Sequence, residues 1–232
     1  MRRLLIASTV LVLVLVSIVP ASAQAATLTF SQPCYAAGVG SLPDQPIPFT
    51  LTGGTPGLRY TVKADFPGNI STTEVRGFFD GAGNASGAFS SYNVMGISIN
   101  PSRGRPATFT ATQGANLFGQ TPIAQAGVTV TNKALTIPVR GGFRKRTWKM
   151  SGVKPFYGSS STYYASWVKG TRGKRVVKRS RLGRAKGACG YLRVKRVLPP
   201  ARRSGAWTVY VHQGKKLNKK RAIAFPFRIF VF

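Results

Sequence analysis

The hydrophobic positions of this chain alternate with polar ones over short stretches. After the first two dozen residues, no segment holds a helical period of about 3.6 for a dozen residues. Such a pattern predicts strands separated by turn residues. In the first half they are expected at Thr27–Phe30, Pro48–Thr52, Tyr60–Phe66, Val75–Phe79, Ala88–Tyr92, Met95–Ile99, Ala107–Ala111 and Gly127–Thr131. Gly53-Gly54, Pro67-Gly68, Asp80-Gly81 and Pro101 mark turns. In the second half the runs are Thr147–Val153, Thr162–Lys169, Arg175–Arg179, Tyr191–Val197, Ala206–His212 and Ala222–Phe232. Trp207, Val209 and Val211 share one face of their strand, while Thr208, Tyr210 and His212 share the other. Phe225, Phe227, Ile229 and Val231 make a second apolar stripe. So many short strands predict an all-β protein of two β-sandwiches in tandem, with one larger β-barrel as the alternative.

The chain opens differently. Arg2 and Arg3 precede an apolar run from Leu4 to Val19, Pro20 breaks it, and Ala21-Ser22-Ala23 offers small residues for cleavage. Residues 1–25 are therefore expected to be a signal peptide, with cleavage after Ala23 or after Ala25. An uncleaved anchor is the other reading, although the run is shorter than a typical span of about 20 residues. No Cys directly follows the cleavage site, and the Arg pair lacks a twin-arginine flank. Export is the expectation, and the terminal Phe225–Phe232 stripe reads as a last sandwich strand, since Pro226 and Arg228 would face lipid in an outer-membrane barrel.

Charge then divides the mature chain. Residues 24–135 carry six bases and all four acids, whereas residues 136–232 carry 26 bases and no acid. The join is expected between Lys133 and Pro138, giving a near-neutral domain at 26–135 and a strongly basic one at 136–232.

This composition excludes much chemistry. Four carboxylates, one His and two Cys furnish neither an EF-hand nor an ordinary tetrahedral zinc site. Neither a metal nor any other cofactor is expected. Cys189 and His212 are the one conceivable nucleophile–base pair, and Gly187-Ala188-Cys189-Gly190 superficially resembles the cysteine motif of envelope L,D-transpeptidases. That family's histidines, however, have no counterpart here, and the second half has no carboxylate to orient a base. No catalytic residue is expected, and His212 reads as a surface residue. Two cysteines in an exported protein, one per domain, suggest a Cys34–Cys189 disulfide. Separate buried thiols or a bridge between chains are the alternatives.

The basic half is the most informative feature. Its runs supply a candidate polyanion-binding set: Arg144, Lys145, Arg146, Lys174, Arg175, Lys178, Arg179, Arg181, Lys195, Arg196, Lys215, Lys216, Lys219, Lys220 and Arg221. Arg193 joins them, because Arg193 and Lys195 alternate with Leu192 and Val194 and should face solvent. A single run is usually a solvated face; many runs without an acid gather polyanions through counterion release. Outside a cell the available partners are anionic polymers of the cell envelope, nucleic acid or anionic lipid, with no small-molecule substrate expected. Tyr163, Tyr164, Trp167, Tyr191 and Tyr210 lie near these bases, and Tyr164 and Tyr210 are the expected exposed platforms for stacking.

Several segments also resemble known modules. Thr52-Gly53-Gly54-Thr55-Pro56-Gly57 before Tyr60-Thr61-Val62, together with Asp80–Phe89 and Pro33-Cys34-Tyr35, is similar to bacterial immunoglobulin-like domains. Gly205-Ala206-Trp207-Thr208-Val209 resembles the start of strand F in such domains, with Trp207 where a Tyr is usual; an ordinary core strand after a turn is the other reading. Arg181–Gly190 and the later Gly-x-Trp-Thr-Val resemble a group of secreted actinobacterial proteins with tandem immunoglobulin-like domains. The likeness implies two immunoglobulin-like sandwiches and leaves activity open. The functional expectation is a secreted, cell-wall-associated binding protein rather than an enzyme, with a polyanion-binding effector that acts on extracellular nucleic acid or anionic membranes, antimicrobial-like, as the alternative.

Overall fold

The computed structural model describes residues 25–38, 43–67, 73–95, 100–115, 120–137, 145–158, 162–170, 175–197 and 205–229. The expected signal peptide lies outside them apart from Ala25. The first sandwich comprises β1 (Thr27–Phe30), β2 (Cys34–Ala37), β3 (Pro46–Thr52), β4 (Arg59–Asp65), β5 (Thr73–Phe78), β6 (Ala85–Ser90), β7 (Arg105–Gly114) and β8 (Thr121–Asn132). A three-stranded sheet of order β1-β3-β6 faces a five-stranded sheet of order β2-β8-β7-β4-β5. The second sandwich comprises β9 (Ala134–Thr136), β10 (Lys145–Ser151), β11 (Thr162–Lys169), β12 (Val176–Arg184), β13 (Leu192–Val197), β14 (Gly205–Gln213) and β15 (Ile223–Ile229). Its sheets run β13-β10-β9 and β12-β11-β14-β15.

In immunoglobulin lettering both units place strands A, B and E opposite C′, C, F and G, with no D strand among the described residues. The first adds β2 as an edge strand parallel to β8. Every other described pairing between named strands is antiparallel. These are two immunoglobulin-like sandwiches in tandem. The first unit's last strand ends at Asn132 and the second unit's first strand begins at Ala134, so Lys133 alone lies between them.

The cores follow from the alternation. In β3, Ile47, Phe49 and Leu51 are buried while the residues between them are exposed. They join Phe30, Tyr60, Phe89 and Phe109 in a ring cluster, with centroids 4.7 Å apart for Phe30–Phe109 and 5.1 Å for Phe89–Phe109. The second core is built on tryptophan. Trp167 of β11 packs edge-on against Trp148 of β10, centroids 5.6 Å apart, and against Trp207 of β14 at 6.3 Å. In antibody domains a strand-C Trp packs on a disulfide between strands B and F. Here two further indoles, one from each of those strands, stand in for it. Residues 205–213 form strand F, and Trp207 at its start is a core residue.

Three local expectations need correction. The strand expected at Ala88–Tyr92 stops at Ser90, and Ser91–Met95 forms a short helix, α1. Its first turn is caught by side-chain oxygens: Asn93 N–H donates to Ser90 Oγ, and Tyr92 N–H and Ser91 Oγ–H donate to Asp44. Burial works against ionisation of Asp44, but hydrogen bonds from Ser90, Ser91, Gly38 and Tyr92 outweigh it and hold the carboxyl below its usual value. Met95 belongs to this helix; the rest of the strand expected at Met95–Ile99 lies outside the described residues. The Thr147–Val153 strand ends at Ser151, because Gly152 at φ 72° turns the chain into a second short helix, α2 (Val153–Tyr157).

Candidate functional site

The two sandwiches are joined by more than a linker. Cys34 on β2 and Cys189, in the turn between β12 and β13, form a disulfide with Cα atoms 5.3 Å apart. Both cysteines are buried, as is the whole of β2. Around the bond the contact is close. Ser151 Oγ donates to the Asn132 carbonyl at 2.7 Å. A Cβ on Gly152 would stand 2.7 Å from that same carbonyl oxygen. Lys133, 4% exposed, sends its ammonium to the Pro43 carbonyl, with Phe156 of α2 beside it at 5.6 Å. Burial lowers the Lys133 pKa and nearby Asp44 partly restores it. The change in charge placed Lys133 at the start of the domain join; that a lysine between Asn132 and Ala134 would be buried against a second domain has no local signal.

The candidate polyanion-binding residues sort into two groups. The first lies along one side of the second sandwich. β12 is an edge of its sheet and β13 an edge of the other. They run beside each other there, since Arg196 Nε donates to the Arg181 carbonyl at 2.6 Å. β12 and the residue before it present Arg175, Lys178, Arg179, Arg181 and Arg184, all exposed; β13 presents Arg193 and Lys195, exposed, and Arg196, half-buried. The adjoining β10 adds Arg146 and Lys149. Lys149 stands directly opposite Arg193, and Arg146 opposite Arg196. Like charges across a strand pair oppose folding by about 0.2–1 kcal/mol each, so this surface is held against its own repulsion. No carboxylate occurs in this half of the chain to relieve it. The charges also blunt two unpaired strand edges, a structural service in itself.

Lys149 and Arg184 were absent from the sequence-derived set. The same alternation that picked out Arg193 marks Lys149, between buried Trp148 and Met150. Arg184 follows Gly183, whose φ of 100° accompanies a register shift on β11–β12 that breaks the period. Lys145 lies in β10. Arg144 and Lys174 fall outside the described residues.

The second group is Lys215, Lys216, Lys219, Lys220 and Arg221, in the connection from β14 to β15. Those strands lie two and three spacings from β12, roughly 10–15 Å across the sheet. Asn218 holds this connection by accepting from Lys220 N–H, and the Lys219 ammonium sits 5.4 Å from the Tyr210 ring centroid.

The aromatics depart from expectation. Tyr210 is 8% exposed, not a free platform, because the β14–β15 connection brings Lys219 over it. Tyr163 and Trp167 are core residues. Tyr164 is half-buried and stacks on His212 at 6.0 Å.

His212, expected at the surface, is 1% exposed, since the strand continues through it to Gln213 and Tyr164 covers it. Its Nε2 lies 2.8 Å from Ser166 Oγ. The pair has the spacing of a nucleophile and base, but Ser166 is wholly buried and the half-chain offers no carboxylate to orient the ring. Burial lowers the His212 pKa, and the charge of Arg179 acts in the same direction, while carbonyls of Gln213 and Gly214 oppose them. The folded ring thus stays neutral where the unfolded one protonates. Stability from this group is complete above about pH 6.5 and is lost as pH falls through the window below it. The melting temperature is expected to drop as pH falls below about 6.5, and a His212→Gln variant to flatten that dependence; an unchanged slope in the variant would contradict the assignment.

Among the described residues no helix is long and apolar enough to cross a membrane. No group of three metal-ligating side chains occurs among them either.

The site and fold together define a tandem immunoglobulin-like protein with one cationic unit. No family model matches the chain, and no curated protein does. Among solved structures it is similar to the FN1-FN3 domains of chicken CNTN1, at 10% identity over 86% of this chain and 64% of that one, TM-score 0.29. It is similar also to a tetra-tandem repeat in the extending region of a large adhesion protein, at 13% identity over 89% of this chain and 49% of that one, TM-score 0.29. The human OSCAR ligand-binding domain matches at 11% identity over 89% of this chain and 96% of that one, TM-score 0.28. The chain thus spans less than two thirds of the first two. The strand wiring, not these superpositions, carries the fold.

Proposed function

We propose that this is a secreted, non-enzymatic binding protein that adheres to anionic polymers of the cell envelope through the basic edge of its second sandwich. The observation that carries this reading is the adjacency of β12 and β13, which lines up Arg175, Lys178, Arg179, Arg181, Arg184, Arg193 and Lys195 without an intervening acid. A row of exposed cations gains from releasing the counterions of a polyanion. Its mixture of Arg and Lys suits repeated charges better than one planar group. Export rests on the Arg2–Ala25 pattern and on the likeness to secreted actinobacterial proteins. The near-neutral first sandwich then serves as a spacer or carries a second contact.

Burial of Tyr163, Trp167 and Tyr210 leaves only the half-buried Tyr164 and Tyr191 of the rings that a single-stranded nucleic acid partner would stack on, and so favours a polymer read by charge. The test is retention of the full protein on isolated cell walls across a salt series. Binding is expected to fall steeply with salt and to weaken on walls stripped of phosphate. Equal retention on stripped walls would sink the charge mechanism, and tight single-strand DNA binding or vesicle leakage would redirect it to those partners.

A further inference from the structure

The junction between the sandwiches holds a cleft of about 300 Å³ lined, among the described residues, by Arg103, Lys186, Gly187 and Tyr191. Arg103 comes from the loop before β7, and the other three from the turn joining β12 to β13. That turn is closed by reciprocal backbone hydrogen bonds, Lys186 N–H to Tyr191 O at 2.8 Å and Tyr191 N–H to Lys186 O at 2.9 Å. Gly187 and Gly190 within it take φ of 72° and 70°, which other residues rarely adopt. Both walls are pinned at one sulfur. Cys189 belongs to the turn, and a Cβ on Gly104, next to Arg103, would stand 2.7 Å from Cys189 Sγ. The disulfide therefore lies where the two walls of the cleft meet.

The chemistry of the cleft's described lining is one-sided. The Arg103 guanidinium lies 6.0 Å from the Tyr191 ring centroid, and Lys186 is exposed beside it. Neither cation makes an ion pair among the described residues. Lys154 reaches the rim, its ammonium donating to the Gly187 carbonyl at 3.3 Å. Two unpaired cations, one of them a forked donor, suit an oxyanion of more than one charge. A half-buried tyrosine ring offers a flat apolar wall for the body that carries it. The volume sits at the small end of ligand sites and fits one ring.

We propose that this cleft binds a single phosphorylated sugar or polyol unit, with Arg103 and Lys186 gripping the phosphate and the Tyr191 ring lying against the carbon skeleton. The cleft is a surface distinct from the basic edge and needs no polymer to fill it. The turn that forms it also ends the edge, so a bound chain would bring a phosphorylated unit to it.

Isothermal titration of the full protein with glucose 6-phosphate tests this, with glucose, inorganic phosphate and adenosine monophosphate as comparators. Saturable one-to-one binding is expected for the sugar phosphate, at least about tenfold tighter than for the other three. Arg103→Ala, Lys186→Ala and Tyr191→Ala should each weaken it about tenfold or more, because each removes one of the three contacts. All three are surface positions whose loss leaves both cores intact. An Arg179→Ala/Arg181→Ala/Arg193→Ala variant should bind the sugar phosphate unchanged while losing wall retention, which keeps the two sites' outcomes apart. Inorganic phosphate binding as tightly, a Tyr191→Ala variant without effect, the nucleotide binding better, or no binding at all would each overturn the assignment.

Discussion

Replacing Arg179, Arg181, Arg193 and Lys195 with alanine is expected to weaken adhesion to an anionic polymer by roughly 10²–10³-fold at about 0.1 M salt. Each cation that neutralises a phosphate contributes about 0.7–0.9 to the slope of log K against log salt, so removing four should lower that slope by about three. The same change should not unfold the protein. All four side chains are exposed, and the loss of Arg193 relieves its repulsion with Lys149 across the β10–β13 pair. The melting temperature is expected to hold or to rise slightly, more so at low salt, where self-repulsion is least screened. Binding isotherms at several salt concentrations and a thermal melt of the same variant check both halves. Lost adhesion with a collapsed melting temperature would mean that the edge holds the fold together instead.

Breaking the Cys34–Cys189 bond is expected to have the largest effect on stability. The two cysteines are 155 residues apart in sequence. Chain entropy alone then assigns the cross-link about 5 kcal/mol, and measured losses usually fall between about 2 and 5 kcal/mol. Each sandwich keeps its own core, one of tilted and edge-on Phe and Tyr rings and one of three indoles, so a Cys34→Ser/Cys189→Ser variant should still fold both units. What it should lose is their fixed junction, where Ser151, Asn132, Lys133 and Phe156 meet. Scattering should report a larger radius of gyration, and calorimetry two separated transitions at lower temperature. A variant with the radius and melting profile of the parent would show that the bond is incidental to the junction.

The sequence revealed what depends on local periodicity. Strand alternation marks Ile47, Phe49 and Leu51, and again Trp207, Val209 and Val211, because a strand packed on one face needs an apolar side chain at every second position. It placed Arg193 and Lys195 for the same reason. It did not reveal β2. Those four residues are covered by α1, by α2 of the second sandwich and by parallel pairing with β8, so they carry no alternation. Nor did it reveal that His212 and Tyr210 are covered, since their strand's outer face lies beneath Tyr164 and Lys219. Arg103 and Tyr191 meet across a junction formed by residues some ninety positions apart in the chain, which no local pattern records. The disulfide was open to inference from compartment and count, while its place at the centre of the domain contact was not. The row of cations along β12 and β13 likewise needed the topology, because those strands belong to different sheets and become neighbours only when the sheets pack.

On the proposed mechanism geometry, and not total charge, makes the adhesive surface. This is tested by matching the four-residue edge variant with one that removes four cations from the β14–β15 connection, Lys215→Ala, Lys216→Ala, Lys220→Ala and Arg221→Ala. Both lose the same formal charge. The salt dependence of wall binding should fall by about three units of slope for the edge variant and stay close to the parent's for the other. Equal losses in the two would contradict the account, because adhesion would then track net charge wherever it lies.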